Sequence, residues 1–191
     1  MTTAGTETAP AEIRRAIEAI TSRDKEAQGA AFQVLMRETE RPVLWAGSVW
    51  EDLLAALGHR DNRTRAIAGQ VLCNLAKSDT GLRLDHDIDK IYAATLDERF
   101  VTARHVLLAL WKAGVHDAKV RGDLVKRLAE RFQACLEEKN GTLIRYDILC
   151  TLRSLFDATG DRDVKNAALA LIPLELDAKY RKKYAGAWRE A

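Results

Sequence analysis

The chain has 191 residues, 47% hydrophobic and 30% charged, with 11 glycines and 3 prolines, a mixture that suits helices better than sandwiches or disordered tails and allows one ordinary domain or a short stack of repeats. The formal net charge of +2 is too small to imply a nucleic-acid or membrane partner by itself. Cys73, Cys135 and Cys150 are widely spaced in apolar helical patterns, so neither a disulfide framework nor a CxxC metal site is indicated.

Residues 1–9 are small and polar, read as a disordered tail, and Pro10 suits a first helical turn. Ile13, Ile17 and Ile20 mark a first helix, and Ala27, Ala31, Val34 and Leu35 a second that ends before Pro42. Val43 to Leu57 reads as a third helix stopped by Gly58, and Asn62 to Lys77 as a fourth. Leu84, Ile88, Ile91 and Tyr92 mark a fifth, Phe100 to Ala113 a sixth and Ala118 to Glu137 a seventh. Asn140-Gly141-Thr142 interrupts the chain before an eighth helix reaching Ala158; a ninth runs from Arg162 to Ile172 and a last from Leu174 to Trp188. No segment alternates as a strand does, so the expected fold is all-α.

An apolar core phrase recurs in Val71-Leu72-Cys73-Asn74-Leu75, Val106-Leu107-Leu108-Ala109-Leu110 and Ile148-Leu149-Cys150-Thr151-Leu152, with a weaker Val34-Leu35 copy. The spacing fits two antiparallel helices and their turns, a unit that buries its apolar face only by stacking on neighbours. Asp61 can cap the fourth helix, with Arg65 one turn on, and Asp161 with Lys165 recreates the pair; Asp24 and Asp97 keep only the acid. On these residues the chain resembles the HEAT-repeat family of the armadillo-like superfamily over roughly residues 10 to 172. The resemblance implies a right-handed α-α superhelix of about four antiparallel hairpins (about 10–39, 43–78, 84–114 and 118–158) plus a C-terminal capping pair (161–188). It also implies a scaffold or adaptor more readily than an enzyme.

No catalytic code accompanies the repeat code. His59, His86, His105 and His116 lack the i, i+4 spacing of a helical metal site, and no GxSxG, GxGxxG or phosphate loop occurs. Asp85-His86-Asp87-Ile88-Asp89 lacks the pattern of a calcium loop and reads as a solvated acidic helix start. No cofactor and no metal are expected, nor any membrane span, and a cytoplasmic location is the economical reading.

Charge is uneven only between residues 99 and 133, with 8 basic against 3 acidic groups. Arg99, Arg104, Lys119, Arg121, Lys126, Arg127 and Arg131 are therefore the candidate interaction surface, for an acidic protein or a phosphate backbone if they converge, or an ordinary solvated face if they do not. In the tail, Tyr180, Tyr184 and Trp188 form one aromatic stripe among Lys179, Arg181, Lys182 and Lys183, a secondary candidate that either covers the end of the last repeat or stacks bases. The leading expectation is a non-catalytic module binding another protein. The alternative is nucleic-acid binding, as in the alkylation-repair DNA glycosylases that use HEAT-like helices, although no catalytic aspartate motif of that family is matched here. A role like that of HEAT-like proteins handling phycobilin carriers is a minor alternative.

Overall fold

Aspartate side chains start five of the ten α-helices found among the described residues, 7–79 and 83–189, of this computed structural model. Asp24, Asp61, Asp117, Asp161 and Asp177 each sit in extended backbone and accept amides of the following first turn, a cap worth about 1 kcal/mol to each helix. The helices are α1 (Ala11–Ile20), α2 (Lys25–Glu38), α3 (Trp50–Ala56), α4 (Asn62–Leu75), α5 (Arg83–Ala93), α6 (Phe100–Ala109), α7 (Ala118–Ala134), α8 (Gly141–Thr159), α9 (Arg162–Leu171) and α10 (Ala178–Ala187). No strand occurs among the described residues, and the fold is all-α. No helix is long and apolar enough to cross a membrane, again among the described residues. The chain forms two compact units, 1–113 and 114–191.

In the first unit α1 packs on α2, α3 on α4, and α4 on both α2 and α6. Helix α4 is buried from Ala66 to Gly69 and from Val71 to Leu75, so its apolar residues have no single face. Small residues make this possible: a Cβ on Gly69 would stand 2.6 Å from Val106 Cγ2, which means that only glycine admits α6 at this distance. Cys73, fully enclosed on the same helix, has its thiol pushed up to about 12 by burial and serves as a small hydrophobe.

The second unit is built on α8, which packs on α7, α9 and α10. Val120, Leu124, Leu128 and Phe132 of α7 recur every four residues and are all buried, as are Ile148, Leu149, Leu152 and Leu155 of α8. Helix α10 closes this core with Tyr184, whose ring meets Phe132 edge-on at 6.1 Å, and with Trp188, 6.0 Å from Phe156. Beside them the guanidinium of Arg145 donates twice to Glu175 Oε2 at 2.9 and 2.7 Å, with both side chains 3% exposed. Tyr184 Oη lies 2.9 Å from the same oxygen and 2.6 Å from the carbonyl of Thr142.

Four features depart from the sequence expectation. Residues 43–49 do not join α3: only Ala46–Ser48 turns, as a 3-10 helix, because Ser48 Oγ bonds the Trp45 carbonyl and receives the Ala9 amide instead of extending a helix. That contact also orders the end of the expected 1–9 tail, where Ala9 is 4% exposed, while residues 1–6 lie outside the described residues. Asp87 is not solvated. It shares the buried face of Leu84, Ile88 and Ile91 and accepts from Trp50 Nε1 at 3.1 Å. Finally, α8 packs more extensively on α9 than on α7, and the Asp161 cap gives α9, not α8, the place that α4 holds; α8 starts instead at Asn140 in left-handed backbone with no side-chain cap.

Leu72 of α4 and Leu107 of α6, two helices that pack on each other, are 0% and 4% exposed. Truncating either to alanine is expected to cost about 2 to 5 kcal/mol, read from denaturant midpoints, and unchanged stability in both variants would contradict the packing of α4 on α6.

Candidate interaction surfaces

The residues that suggested a repeat do form a recurring device, with partners other than those expected. Asp61 Oδ1 caps α4 through the Arg63 and Thr64 amides, and its Oδ2 accepts from Lys25 Nζ of α2 at 2.5 Å. Arg65 does not pair with Asp61. Its Nε and Nη2 donate to the two oxygens of Asp97, ahead of α6, at 2.5 and 2.8 Å, and its Nη1 donates to the carbonyls of His59 and Arg60. In the second unit Arg121 Nε donates to Asp161 Oδ2 at 2.8 Å while its Nη1 bonds the Gly114 and Val115 carbonyls. Lys165 stands instead 5.6 Å over the Phe156 ring. An intrahelical i, i+4 pair loses here because the free oxygens of Asp61 and Asp161 point to cations on other helices, Lys25 and Arg121, while Arg65 finds Asp97 in a site where both partners are largely out of water.

Two further copies of the Asp-x3-Arg spacing escaped the sequence reading: Asp117 with Arg121, and Asp177 with Arg181, whose Nη1 bonds the Glu175 carbonyl. The spacing itself was the signal. The bridges to other helices hold the carboxyls of Asp61, Asp97 and Asp161 below the ordinary aspartate value of 3.8. Hydrogen bonds from Lys25 and Arg121 do so at Asp61 and Asp161, whereas at Asp97 burial pushes upward and the Arg65 bond overcomes it.

A second set of bonds ties the other ends of α2, α4 and α6. Asn74 Nδ2 donates to Thr39 Oγ1 at 3.1 Å, Lys112 Nζ donates to Asn74 Oδ1 at 2.5 Å, and Lys77 Nζ bonds the Thr39 and Glu40 carbonyls that close α2. Burial lowers both lysines. Between the opposite turns of the first unit lies an open cleft of about 340 Å³ lined by Thr21, Ser22, Arg23, His59, Arg60 and Asp61. His59 Nδ1 accepts the Asp61 amide there, which assigns this imidazole to the turn.

The seven candidate basic residues divide between the units. Arg99 and Arg104 lie at α6; Lys119, Arg121, Lys126, Arg127 and Arg131 lie on α7. Arg121 is committed to Asp161, and Arg131 makes a two-pronged pair with Glu138. The exposed side of α7 carries Lys119 and Lys126 among Asp123 and Glu130, a mixed face of the kind that water solvates.

Helix α6 is different. Val101 is 61% and Leu108 39% exposed, seven residues and therefore about two turns apart on one side. Arg104 lies between them with its guanidinium 5.7 Å over Phe100, and half-buried Trp111 follows one turn beyond. Helix α10 differs in the opposite sense. Its aromatic stripe points inward, with Tyr184 and Trp188 buried and Tyr180 half-buried, and so covers the core of the second unit and cannot stack bases. Lys179, Arg181, Lys182 and Lys183 all remain exposed. Among the described residues no group of three or more metal-ligating side chains converges. No family model, no curated protein and no solved structure matches the chain.

The Arg65–Asp97 pair is 13% and 7% exposed, whereas Lys25–Asp61 is 57% and 24% exposed. Arg65→Gln is expected to cost about 2 to 3 kcal/mol, toward the low end for a broken buried pair, and Lys25→Gln less than about 1 kcal/mol, both from denaturant unfolding; equal costs would contradict the difference in burial. The pH dependence follows from the depressed carboxylates. Their stabilisation is complete above the ordinary value of 3.8 and is lost as pH falls through their lower folded values, because the unfolded chain takes up protons first. The unfolding midpoint should therefore fall on acidification below that value, less steeply in Arg65→Gln, and parallel acid profiles for the two proteins would remove the Arg65–Asp97 bridge as a cause.

Proposed function

We propose that this chain is a non-catalytic helical-repeat module of the HEAT-like kind that binds another protein, as a scaffold or adaptor does, through the outer face of α6. The observation that carries the reading is the composition of that face: exposed Val101 and Leu108, Arg104 stacked on Phe100, and Trp111 at the end of the stripe. A single exposed aliphatic residue means little. Two of them in register with an arginine and a tryptophan match the make-up of protein-interface anchors, where tryptophan and arginine dominate the binding energy. The HEAT-like assignment is supported by the aspartate-to-cation bridges that link every second helix, α2 to α4, α4 to α6 and α7 to α9, with partners 36, 32 and 40 residues apart. The Arg65–Asp97 bridge at one end of α6 and the Lys112–Asn74 hydrogen bond beyond the other tie it to α4, so a partner meets a surface already ordered and loses little entropy in ordering it.

The test is affinity purification of the tagged chain from its own cells at moderate salt. The wild type should retain a stoichiometric protein partner, and Val101→Asp with Leu108→Asp should reduce its retention by at least about tenfold, the effect of losing an anchor worth about 1.4 kcal/mol or more, with an unchanged unfolding midpoint. Equal retention by the variant would overturn the α6 reading. A hydrolase or transferase activity abolished by one polar substitution would overturn the non-catalytic one.

A further inference from the structure

We propose that the outer face of α10 docks on the phosphate backbone of a nucleic acid, without reading its sequence. This inference concerns a different helix and rests on different observations from the protein-docking face of α6. From Asp177, which caps the helix, to Arg189 the chain carries Lys179, Arg181, Lys182, Lys183 and Arg189 and no acidic residue. All five are exposed. Among the described residues none of them forms an ion pair. Arg181 bonds the Glu175 carbonyl, and the exposed Lys183 places its ammonium 4.0 Å over the Tyr146 ring.

A cationic helix face suits three kinds of partner, and the rest of α10 decides among them. A helix that lies on a membrane inserts its apolar face into the lipid; here Tyr184 and Trp188 are already buried in the second unit, and Tyr184 is bonded to Glu175 and the Thr142 carbonyl. A protein interface gains its energy from aromatic and aliphatic anchors and is depleted in lysine; between the cations of α10 the exposed residues are Ala178, Ala185 and Gly186. Leu174 and Leu176, exposed at 44% and 84%, precede the Asp177 cap and are not part of the helix. A phosphate backbone asks only for fixed positive charge and room for close approach. Lysines supply the charge as point cations that no carboxylate neutralises, and the small residues supply the room.

The dimensions agree. Lys179 to Lys183 spans about 6 Å of helix axis, and duplex DNA carries one negative charge for about every 1.7 Å of its own axis, so phosphates are spaced closely enough to meet each of the three lysines. With Tyr184 and Trp188 buried, these rings are withdrawn from base stacking, and contacts to phosphate position a protein without specifying sequence.

The experiment is fluorescence anisotropy of the full chain with labelled mixed-sequence duplex DNA across a salt series. About three phosphate contacts predict a log-log salt slope near −2.7 and an affinity loss of about 40-fold between about 50 and 200 mM salt. Lys179→Gln, Lys182→Gln and Lys183→Gln together should flatten that slope toward zero with the unfolding midpoint unchanged, and a duplex of scrambled sequence should bind equally. Val101→Asp with Leu108→Asp should leave DNA binding intact, which separates this inference from the α6 reading. No binding by the wild type at low salt, binding that survives the triple substitution, or preference for polyglutamate or anionic vesicles over DNA at equal salt would each overturn it.

Discussion

The structure depends on one carboxylate serving two helices. In Asp61 and Asp161 one oxygen caps the helix that the residue begins, and the other accepts from a cation on the preceding helix of that kind. Asp97 makes the same link, sharing Oδ1 between the Arg99 amide and Arg65. A cap fixes where a helix starts, and a bridge fixes where its neighbour starts relative to it; one side chain does both. The arginines complete the geometry because a guanidinium reaches two ways. Arg65 and Arg121 hold the next aspartate with one part of the fork and the carbonyls of their own preceding turn with Nη1. A lysine has one nitrogen and cannot span that gap, which is why Lys25 makes only the exposed version of the link.

Much of this was legible, up to the point where a local pattern had to choose a partner. Asp61, Arg65 and Asp161 stand out in the sequence, and the apolar phrases mark buried helices. What the chain does not display is direction. A pair four residues apart reads as an intrahelical contact, while the actual acceptor lies 32 to 40 residues away and is reached only after stacking. The fourth copy was misregistered for a related reason: Ile148-Leu149-Cys150-Thr151-Leu152 describes any helix buried on several sides. The capping aspartate is the discriminating mark, and α8 lacks it. Asp87 was obscured by composition. Its neighbours Asp85, His86 and Asp89 are acidic or polar, yet its register with Leu84, Ile88 and Ile91 places it inward against the Trp50 indole.

The second unit solves the same problem with a costlier device. Arg145 and Glu175 are both withdrawn from water, and burying a pair of charges gains little unless the remaining polar atoms are satisfied. Here they are: the Asp177 amide takes Glu175 Oε1, and Tyr184 and Arg145 share Oε2. Glu175 therefore sets the turn before α10, anchors α8 through Arg145 and fixes the tyrosine that fills the core. Burial drives its carboxyl upward, and these donors bring it below its ordinary value. The aromatic stripe of the tail is legible from its four-residue spacing; the pair that holds it in place is not, because Arg145 and Glu175 are 30 residues apart in unremarkable surroundings.

Once inward faces are committed to caps, bridges and core, the outward faces carry little structural demand, and their composition becomes informative by contrast. The exposed side of α7 alternates Lys119, Asp123, Lys126 and Glu130, which is what solvation alone favours. Helix α6 departs from that mixture toward aliphatic residues with an arginine between them, and α10 departs toward cations separated by alanine and glycine. Departures of opposite kind in one chain are hard to attribute to a general demand of solubility or folding, since that demand would move both faces the same way. The two proposed docking faces rest on this contrast, and they differ in the signature each would leave: binding through desolvated apolar anchors is insensitive to salt, whereas binding through counterion release is governed by it.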